Sequence, residues 1–209
     1  MFNEANARQE ICNIMGRIYN KGMVSSAGGN VSIVNREESY ILVTPTHIDK
    51  VNLLPEHIVK VNLTNGEIIG GGACSSETIN HLSIYHSRKD INAIAHAHPT
   101  TAVGMVTAGH LPTTVTSEFV VMIRKLGVVD FYPAGDKTVE ELTKALEETD
   151  VVLLKHHGVF AVGNSLLNAM TKIEVLEEAA KVAFVAQVFG GMPEIPQDKV
   201  IECIKTYAK

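Results

Sequence analysis

Residues 151–162 read VVLLKHHGVFAV. Two apolar runs, at 151–154 and 159–162, flank the polar segment Lys155-His156-His157-Gly158. Both runs are short and rich in residues that favour strands. The pattern predicts a strand, a tight corner and a second strand, with two adjacent histidines at the corner.

Outward from this stretch, strand and helix patterns alternate along the chain. Strand patterns cover residues 31–34, 40–43, 58–63, 67–69, 92–98, 113–115 and 128–132. Helix patterns cover residues 11–18, 77–88, 101–108, 118–126, 139–147, 166–189 and 200–207. Several connections are short, and Asn65-Gly66 is a strong hairpin signal. The sequence predicts an α/β fold, a single-domain α/β/α sandwich with a largely antiparallel central sheet over residues 1–209.

One of these helices is predicted to start near residue 77. Ser75 and Ser76 precede it, as helix-capping residues often do. Ile79, Leu82 and Tyr85 then recur at helical spacing. We expect these three side chains to form the apolar face of the helix.

The bulk composition excludes several classes of protein. The net charge is −5, and no Lys- or Arg-rich stripe is present to attract nucleic acid. The apolar stretches fall short of the roughly 20 residues that cross a membrane, and residues 1–10 are too polar for a signal peptide. Three widely spaced cysteines fit reduced thiols better than disulfides. We expect a cytoplasmic protein that binds neither nucleic acid nor membrane.

The histidine-bearing strands predict a metal site. His96 and His98 point to the same face of their strand, because alternate residues of a strand do so. Of the adjacent pair His156-His157, only one can reach a common centre, and we favour His157. Glu77 can add a carboxylate ligand, which gives a set suited to zinc or another divalent transition metal. The alternatives are histidines on an ordinary polar face, or a metal site with a purely structural role.

Two segments have features of an anion site. Gly28-Gly29-Asn30 can present backbone N–H groups that no Cβ obstructs. Ser75-Ser76 adds hydroxyl groups at a helix N-terminus, where the helix dipole favours negative charge. Each feature alone is more typical of a turn or a cap. Because the serines directly precede the predicted carboxylate ligand, the combination favours a phosphate site beside a metal.

Five short motifs give the chain a recognisable pattern. They are Gly29-Asn30-Val31-Ser32, Thr44-Pro45-Thr46, Ser75-Ser76-Glu77, His96-Ala97-His98 and His156-His157-Gly158. In order and spacing these motifs resemble the class II aldolase and adducin family over nearly the whole chain.

The resemblance implies roles for particular residues. It implies zinc bound by Glu77, His96, His98 and His157. It also implies that substrate phosphate contacts Gly29, Asn30, Thr46, His47, Ser75 and Ser76. Glu77 would donate and accept the proton. Tyr207 would act in the site of a neighbouring subunit, and the alternative is an exposed tyrosine at the end of its helix. The assembly it implies is a homotetramer with active sites at the subunit interfaces.

The reaction implied by the resemblance is the reversible cleavage of a ketose 1-phosphate to dihydroxyacetone phosphate and an aldehyde, through an enediolate. The epimerase branch of the family carries an aspartate where this chain has Glu77, which favours cleavage. The alternatives are a sugar-phosphate 4-epimerase or dehydratase, or a non-catalytic interaction module similar to the adducin head.

Three positions depart from the pattern of the sugar-phosphate aldolases in this family. His47 replaces a glycine, and Ala134 replaces a phenylalanine. The mid-chain catalytic tyrosine of those aldolases has no counterpart around Thr116-Ser117-Glu118. The aldehyde portion of the substrate is therefore not determined by the sequence.

Overall fold

The structure is a computed structural model that describes residues 2–112, 114–191 and 194–207. Its strands are β1 (Asn30–Asn35), β2 (Tyr40–Val43), β3 (Val59–Asn62), β4 (Ile68–Gly70), β5 (Ala93–Ala97), β6 (Leu126–Val129), β7 (Val151–Leu154) and β8 (Gly158–Gly163). Its helices are α1 (Glu4–Asn20), α2 (Thr78–Ser87), α3 (Thr100–Thr107), α4 (Ser117–Met122), α5 (Asp136–Glu148), α6 (Leu166–Val188) and α7 (Gln197–Tyr207). None of these helices is both long and apolar enough to cross a membrane.

The strands form one mixed sheet in the order β4-β3-β2-β1-β5-β8-β7-β6. Every neighbouring pair is antiparallel except β6 and β7. Tight turns join β1 to β2, β3 to β4 and β7 to β8. Between β3 and β4, Gly66 takes the left-handed backbone with φ +74°. The parallel pair is joined through α5, since a parallel connection needs a crossover. The predicted, largely antiparallel sheet is confirmed.

Helices cover both faces of the sheet. Val151 and Leu153 of β7 pack in a cluster with α1, α3, α4 and α6. Their neighbours Val152 and Leu154 pack in a second cluster with α2 and α5. Because successive residues of a strand point to opposite faces, the sheet is buried on both sides. The predicted α/β/α sandwich is confirmed.

The central strands β5 and β8 position the candidate site. His96 on β5 lies directly opposite Phe160 on β8. Gly158 lets the corner before β8 approach the end of β5, because a Cβ there would lie 2.5 Å from the Ala97 carbonyl oxygen and 2.7 Å from Cδ2 of His98. Glycine at this position is therefore required by space.

The segment between α3 and α5 departs from the prediction. The helix predicted at 118–126 ends earlier, because Arg124 adopts a left-handed conformation with φ +59°. The strand predicted at 128–132 therefore begins two residues sooner, as β6. The strand predicted at 113–115 is wrong for its last two residues, which form no strand, while Thr113 lies outside the described residues.

Helix α2 turns a different face to the sheet than predicted. Ile79 is 54% exposed, although Tyr85 is buried and Leu82 packs at the edge of the core. The buried face also carries the polar residues Asn80 and His81. The buried face of this helix therefore combines apolar packing in the core with hydrogen bonding in the candidate site.

Candidate metal centre

Three histidines meet at the edge of the sheet where β5 ends and the chain turns into β8. His96 lies on β5, His98 lies just beyond it, and His157 lies in the corner before β8. Their ligand atoms all lie within 4.8 Å of one another, and the Nε2 atoms of His96 and His98 are 3.1 Å apart. The structure thus brings together the three imidazoles that the sequence predicted to converge.

His96 is fully buried, and its surroundings fix its tautomer. Its Nδ1 lies 2.9 Å from the Val159 carbonyl oxygen, which can only accept a hydrogen bond. Its ring stacks on Phe160 with the ring centroids 4.1 Å apart. Burial lowers the pKa of His96 to about 3, so the ring is neutral at pH 7. Nδ1 therefore carries the proton, and Nε2 presents a lone pair to the centre.

Glu77, the N-cap residue of α2, brings a carboxylate to the same place. Its Oε2 lies 3.4 Å from Nε2 of His96 and accepts a 2.7 Å hydrogen bond from Nδ2 of Asn30. Its Oε1 lies 3.3 Å from Nε2 of His157. Burial raises the pKa of Glu77, but the neighbouring histidines and Asn30 lower it by more, so the net pKa lies well below the ordinary value. Glu77 is therefore ionised at neutral pH.

The donor atoms fit a divalent transition metal. Nε2 of His96 and Oε2 of Glu77 face each other with lone pairs, an arrangement that a shared cation makes favourable. Neighbouring ligand atoms in a tetrahedral site with zinc-like bond lengths are roughly 3.3 Å apart. The separations within the cluster of 3.1, 3.3 and 3.4 Å match that spacing. Imidazole and carboxylate are also ligand types that such metals accept.

The second histidine of the corner points elsewhere. His156 has a left-handed backbone with φ +60° and an exposed side chain. Its ring meets the edge of Phe131, with the ring centroids 6.0 Å apart. Of the adjacent pair, the structure places His157 at the centre, as the sequence favoured.

Behind Glu77 and the predicted site residue Asn30 lie buried polar side chains for which the sequence predicted no role in the site. Oδ1 of Asn30 lies 2.5 Å from Nε2 of His81, and Nδ1 of His81 lies 2.6 Å from Oγ of Ser32. The Tyr85 hydroxyl lies 2.9 Å from the same Oγ and donates to the Ser32 carbonyl at 3.0 Å. Burial lowers the pKa of His81 to about 4, so this ring is also neutral at pH 7. The spacings offered a signal: Ser32 follows Asn30 by two on a strand, and His81 follows Glu77 by four on a helix.

Two of the segments predicted to bind an anion are tied together. The loop after β2 meets the segment before α2 through a bridge between Pro45 and Cys74. The backbone N–H of Thr46 donates to the Ala73 carbonyl at 3.0 Å. These contacts bring the predicted contact residue Thr46 next to the segment that carries the predicted serine pair.

The glycine turn before β1 lies directly against the histidines. A Cβ on Gly28 would lie 3.3 Å from Cε1 of His98, and a Cβ on Gly29 would lie 2.8 Å from the carbonyl oxygen of His96. Gly29 also has a left-handed backbone with φ +67°. Both space and conformation therefore require glycine at 29.

The remaining predicted anion contacts lie at the start of α2 and after β2. Oγ of Ser75 accepts a 3.2 Å hydrogen bond from the Glu77 N–H, and Ser76 lines a cavity together with Glu77. His47, which stands where the resemblance has glycine, adopts φ +56°. Since left-handed backbone costs a residue with a Cβ about 1–2 kcal/mol, His47 keeps a glycine-like conformation at a cost in strain.

A cavity of about 250 Å³ opens beside Glu77 and His157. Its opposite wall is the loop between β6 and α5, which contributes Phe131, Tyr132 and Ala134. Charged ligand groups thus face an aromatic and aliphatic wall. Such a shape can hold a small molecule with one polar and one less polar end.

Tyr207 lies in a different part of the chain. It is 64% exposed at the end of α7. It lines a separate cavity of about 260 Å³, and its neighbours there on α4 are Ser117, Glu118, Val121 and Met122. Within one chain, the structure does not place Tyr207 among the residues that line the cavity beside Glu77.

The fold and the site define the class of the protein. The family model described as class II aldolase and adducin N-terminal domain matches residues 9–184. The chain belongs to this family, which is the family that the five motifs resemble.

Particular relatives are similar over most of their length. An L-fuculose phosphate aldolase from Methanocaldococcus jannaschii is 35% identical over 84% of this chain and 94% of its own. A 3-oxo-tetronate 4-phosphate decarboxylase from Haemophilus influenzae is 31% identical over 87% of this chain and 89% of its own. A solved L-fuculose 1-phosphate aldolase superposes with a TM-score of 0.88 and 27% identity, over 98% of this chain and 97% of its own. The family therefore includes relatives named for two different reactions.

Proposed function

We propose that the protein is a zinc-dependent aldolase that reversibly cleaves a ketose 1-phosphate, of the L-fuculose 1-phosphate type, to dihydroxyacetone phosphate and an aldehyde. The observation that carries this proposal is the Glu77 carboxylate, which lies among the imidazoles with a fixed hydrogen bond from Asn30. Glu77, His96, His98 and His157 would hold the metal. The phosphate would contact Gly29, Asn30, Thr46, His47, Ser75 and Ser76.

Each group in this site has a defined task. When bound, a divalent metal acts as a Lewis acid and stabilises negative charge on substrate oxygen atoms. Glu77 is ionised, which is the form that a general base needs before it accepts a proton. The start of α2 and the glycine turn offer backbone dipoles and hydroxyl groups to a phosphate.

The proposed cleavage is a retro-aldol reaction. The bond between C3 and C4 breaks, the C4 hydroxyl gives up its proton, and C4 becomes the aldehyde. The bonding electron pair stays on C3 and spreads into the C2 carbonyl as an enediolate. Glu77 takes up the hydroxyl proton, directly or through Tyr207 of a neighbouring subunit, and then protonates C3 to give dihydroxyacetone phosphate.

The proposal includes assembly into a homotetramer in the cytoplasm, with active sites at the interfaces. Its support is the exposed apolar surface at the end of α6, where Phe184, Val185, Val188 and Phe189 are 58%, 52%, 68% and 86% exposed. Large exposed apolar patches are typical of protein interfaces. Tyr207 is also exposed, as a residue that enters the site of another subunit must be.

A decarboxylation is the second candidate, because the relative from Haemophilus influenzae is named a 3-oxo-tetronate 4-phosphate decarboxylase. Loss of carbon dioxide from a 3-oxo acid also leaves an electron pair beside a carbonyl. The same carboxylate would then deliver the proton. The two reactions differ in the group that leaves, while the metal and phosphate sites are shared.

A product assay on the zinc-loaded protein tests these proposals. A panel of ketose 1-phosphates is screened for released dihydroxyacetone phosphate, and 3-oxo-tetronate 4-phosphate is screened for carbon dioxide. We expect dihydroxyacetone phosphate from the panel and its loss by at least 100-fold in Glu77→Gln. Release of carbon dioxide from 3-oxo-tetronate 4-phosphate, without release of dihydroxyacetone phosphate from any ketose 1-phosphate, would replace the aldolase proposal with the decarboxylase. A 4-epimer, a dehydrated product or no turnover would contradict both.

A further inference from the structure

We propose that His81 is a positioning residue for proton transfer by Glu77, and that it acts through Asn30. The inference rests on the proposed function, since it assigns Glu77 the proton-transfer step. His81 lies one helical turn after Glu77 on α2 and is fully buried. It touches neither the histidine cluster nor the carboxylate directly in its hydrogen bonds.

Asn30 is buried, with 2% of its surface exposed, and its side-chain amide has a hydrogen-bond partner at each end. One end, Nδ2, lies 2.7 Å from Oε2 of Glu77, and the other end, Oδ1, lies 2.5 Å from Nε2 of His81. Both polar ends of this buried amide are therefore occupied. Asn30 acts as a rigid link between the two side chains.

The carboxylate fixes the direction of every hydrogen bond behind it. An ionised carboxylate can only accept, so Asn30 must turn its NH₂ group to Glu77 and its oxygen to His81. Nε2 of His81 must then donate, and its neutral ring leaves Nδ1 as an acceptor. Ser32 Oγ–H therefore donates to Nδ1 at 2.6 Å. The order of donors runs from Ser32 through His81 and Asn30 to Glu77.

His81 removes the alternative orientation of Asn30. An unsupported amide can rotate by 180° and present its oxygen to the carboxylate, which would repel Glu77. The Nε2–H of His81 blocks this rotation, because a rotated amide would place two donors against each other. Neighbours of metal-site residues that act in this way typically contribute 10–100-fold to affinity or activity.

The chain offers a well-matched set of variants. In His81→Gln, the side-chain amide nitrogen lies near the position of Nε2 and can still donate to Asn30, whereas His81→Leu fills similar volume with no donor. His86, on the same helix, bonds the Leu63 carbonyl at 2.7 Å outside this chain of groups. His86→Gln therefore serves as a control.

The first readout is exchange of the α-proton of dihydroxyacetone phosphate with solvent in the zinc-loaded protein. We expect at least a tenfold slower exchange in His81→Leu and recovery of most of the rate in His81→Gln. The control should exchange at the wild-type rate. Wild-type exchange in a folded, zinc-loaded His81→Leu, or no recovery in a folded His81→Gln, would overturn the inference.

The second readout needs no activity and no variant. Nitrogen NMR of the histidine rings in the metal-free protein at pH 7 should show His81 protonated at Nε2 and bare at Nδ1. The opposite tautomer would overturn the inference, even where His81→Leu fails to fold. A wild-type protein that exchanges no proton on dihydroxyacetone phosphate would instead refute the proposed function, and with it the role of His81.

Discussion

Glu77 lies between two walls that differ in how they are built. The inner wall contains Asn30, His81 and His96, which are buried and hydrogen-bonded on paired strands and a helix. The outer wall is the loop between β6 and α5, where Phe131 is 57% exposed. The inner wall fixes the proposed metal ligands and the carboxylate proposed as proton acceptor. The outer wall can change without disturbing them, and so can set substrate preference across a family with relatives named for different reactions.

The largest expected effect comes from overfilling the space beside the inner wall. In Gly158→Ala the new Cβ would lie 2.5 Å from the Ala97 carbonyl oxygen and 2.7 Å from Cδ2 of His98, so the corner must move away from the end of β5. We expect zinc affinity to fall on the order of 100-fold, with about 2 kcal/mol lost in the free energy of unfolding. Competition with a chromophoric chelator measures the first effect, and urea unfolding measures the second.

Gly16 provides the control for this variant. It lies within α1, where an added Cβ would meet nothing within 4 Å. Gly16→Ala should leave zinc affinity unchanged and stabilise the helix by up to about 1 kcal/mol. Equal zinc affinities in the two variants would show that the inner wall is not rigid, and the contrast between the walls would be lost.

The second effect is a pH dependence of stability. The pKa of His81 is about 4 in the fold because of burial, against 6.5 for an exposed histidine. Between these values the unfolded chain binds more protons, so stability is complete above pH 6.5 and is lost as the pH falls toward 4. For His81 alone, we expect a loss of roughly 2 kcal/mol in the free energy of unfolding between pH 7 and pH 5.

Urea unfolding of the metal-free protein at both pH values measures this dependence. His81→Gln cannot titrate, so its loss over the same interval should be smaller than that of the wild type by this amount. Identical pH dependence in the two proteins would mean that the pKa of His81 is not lowered in the fold, so that His81 is charged in the fold at pH 5. The inner wall would then contain an unpaired charge rather than a fixed set of neutral donors.

The two walls also differ in how far the sequence predicts them. The strands beneath the inner wall follow from alternation and short apolar runs, and the convergence of the histidines follows from their positions at the ends of those strands. The sequence did not predict the buried polar face of α2. Ile79 fits an apolar stripe but is exposed, whereas His81 is buried and hydrogen-bonded. Apolar periodicity alone does not predict a buried face that is partly polar.

The outer wall comes after helix α4 and strand β6 in the chain, and the sequence carries no signal for the end of α4. Helix α4 ends before the left-handed residue Arg124, with φ +59°, where a glycine or asparagine would have marked the end. His47, with φ +56°, is a similar case in the predicted phosphate site. Residues with a Cβ rarely take this conformation, so the surrounding tertiary structure must hold it.

The smallest expected effect on the fold, and the most direct test of the outer wall, is Phe131→Ala. The ring is exposed and contacts His156 edge-on, so its loss should change the free energy of unfolding by no more than about 0.5 kcal/mol and leave zinc affinity unchanged. Because Phe131 lines the cavity beside Glu77, we expect kcat/KM to fall about tenfold for ketose phosphates with a large aldehyde portion, and less for those with a small one. Ile69→Ala removes a side chain that is 52% exposed on β4. It should leave kcat/KM unchanged for ketose phosphates with a large or a small aldehyde portion. If the ranking of substrates by kcat/KM is unchanged in Phe131→Ala, then Phe131 does not determine substrate preference. Residues of both walls would then contribute to substrate recognition.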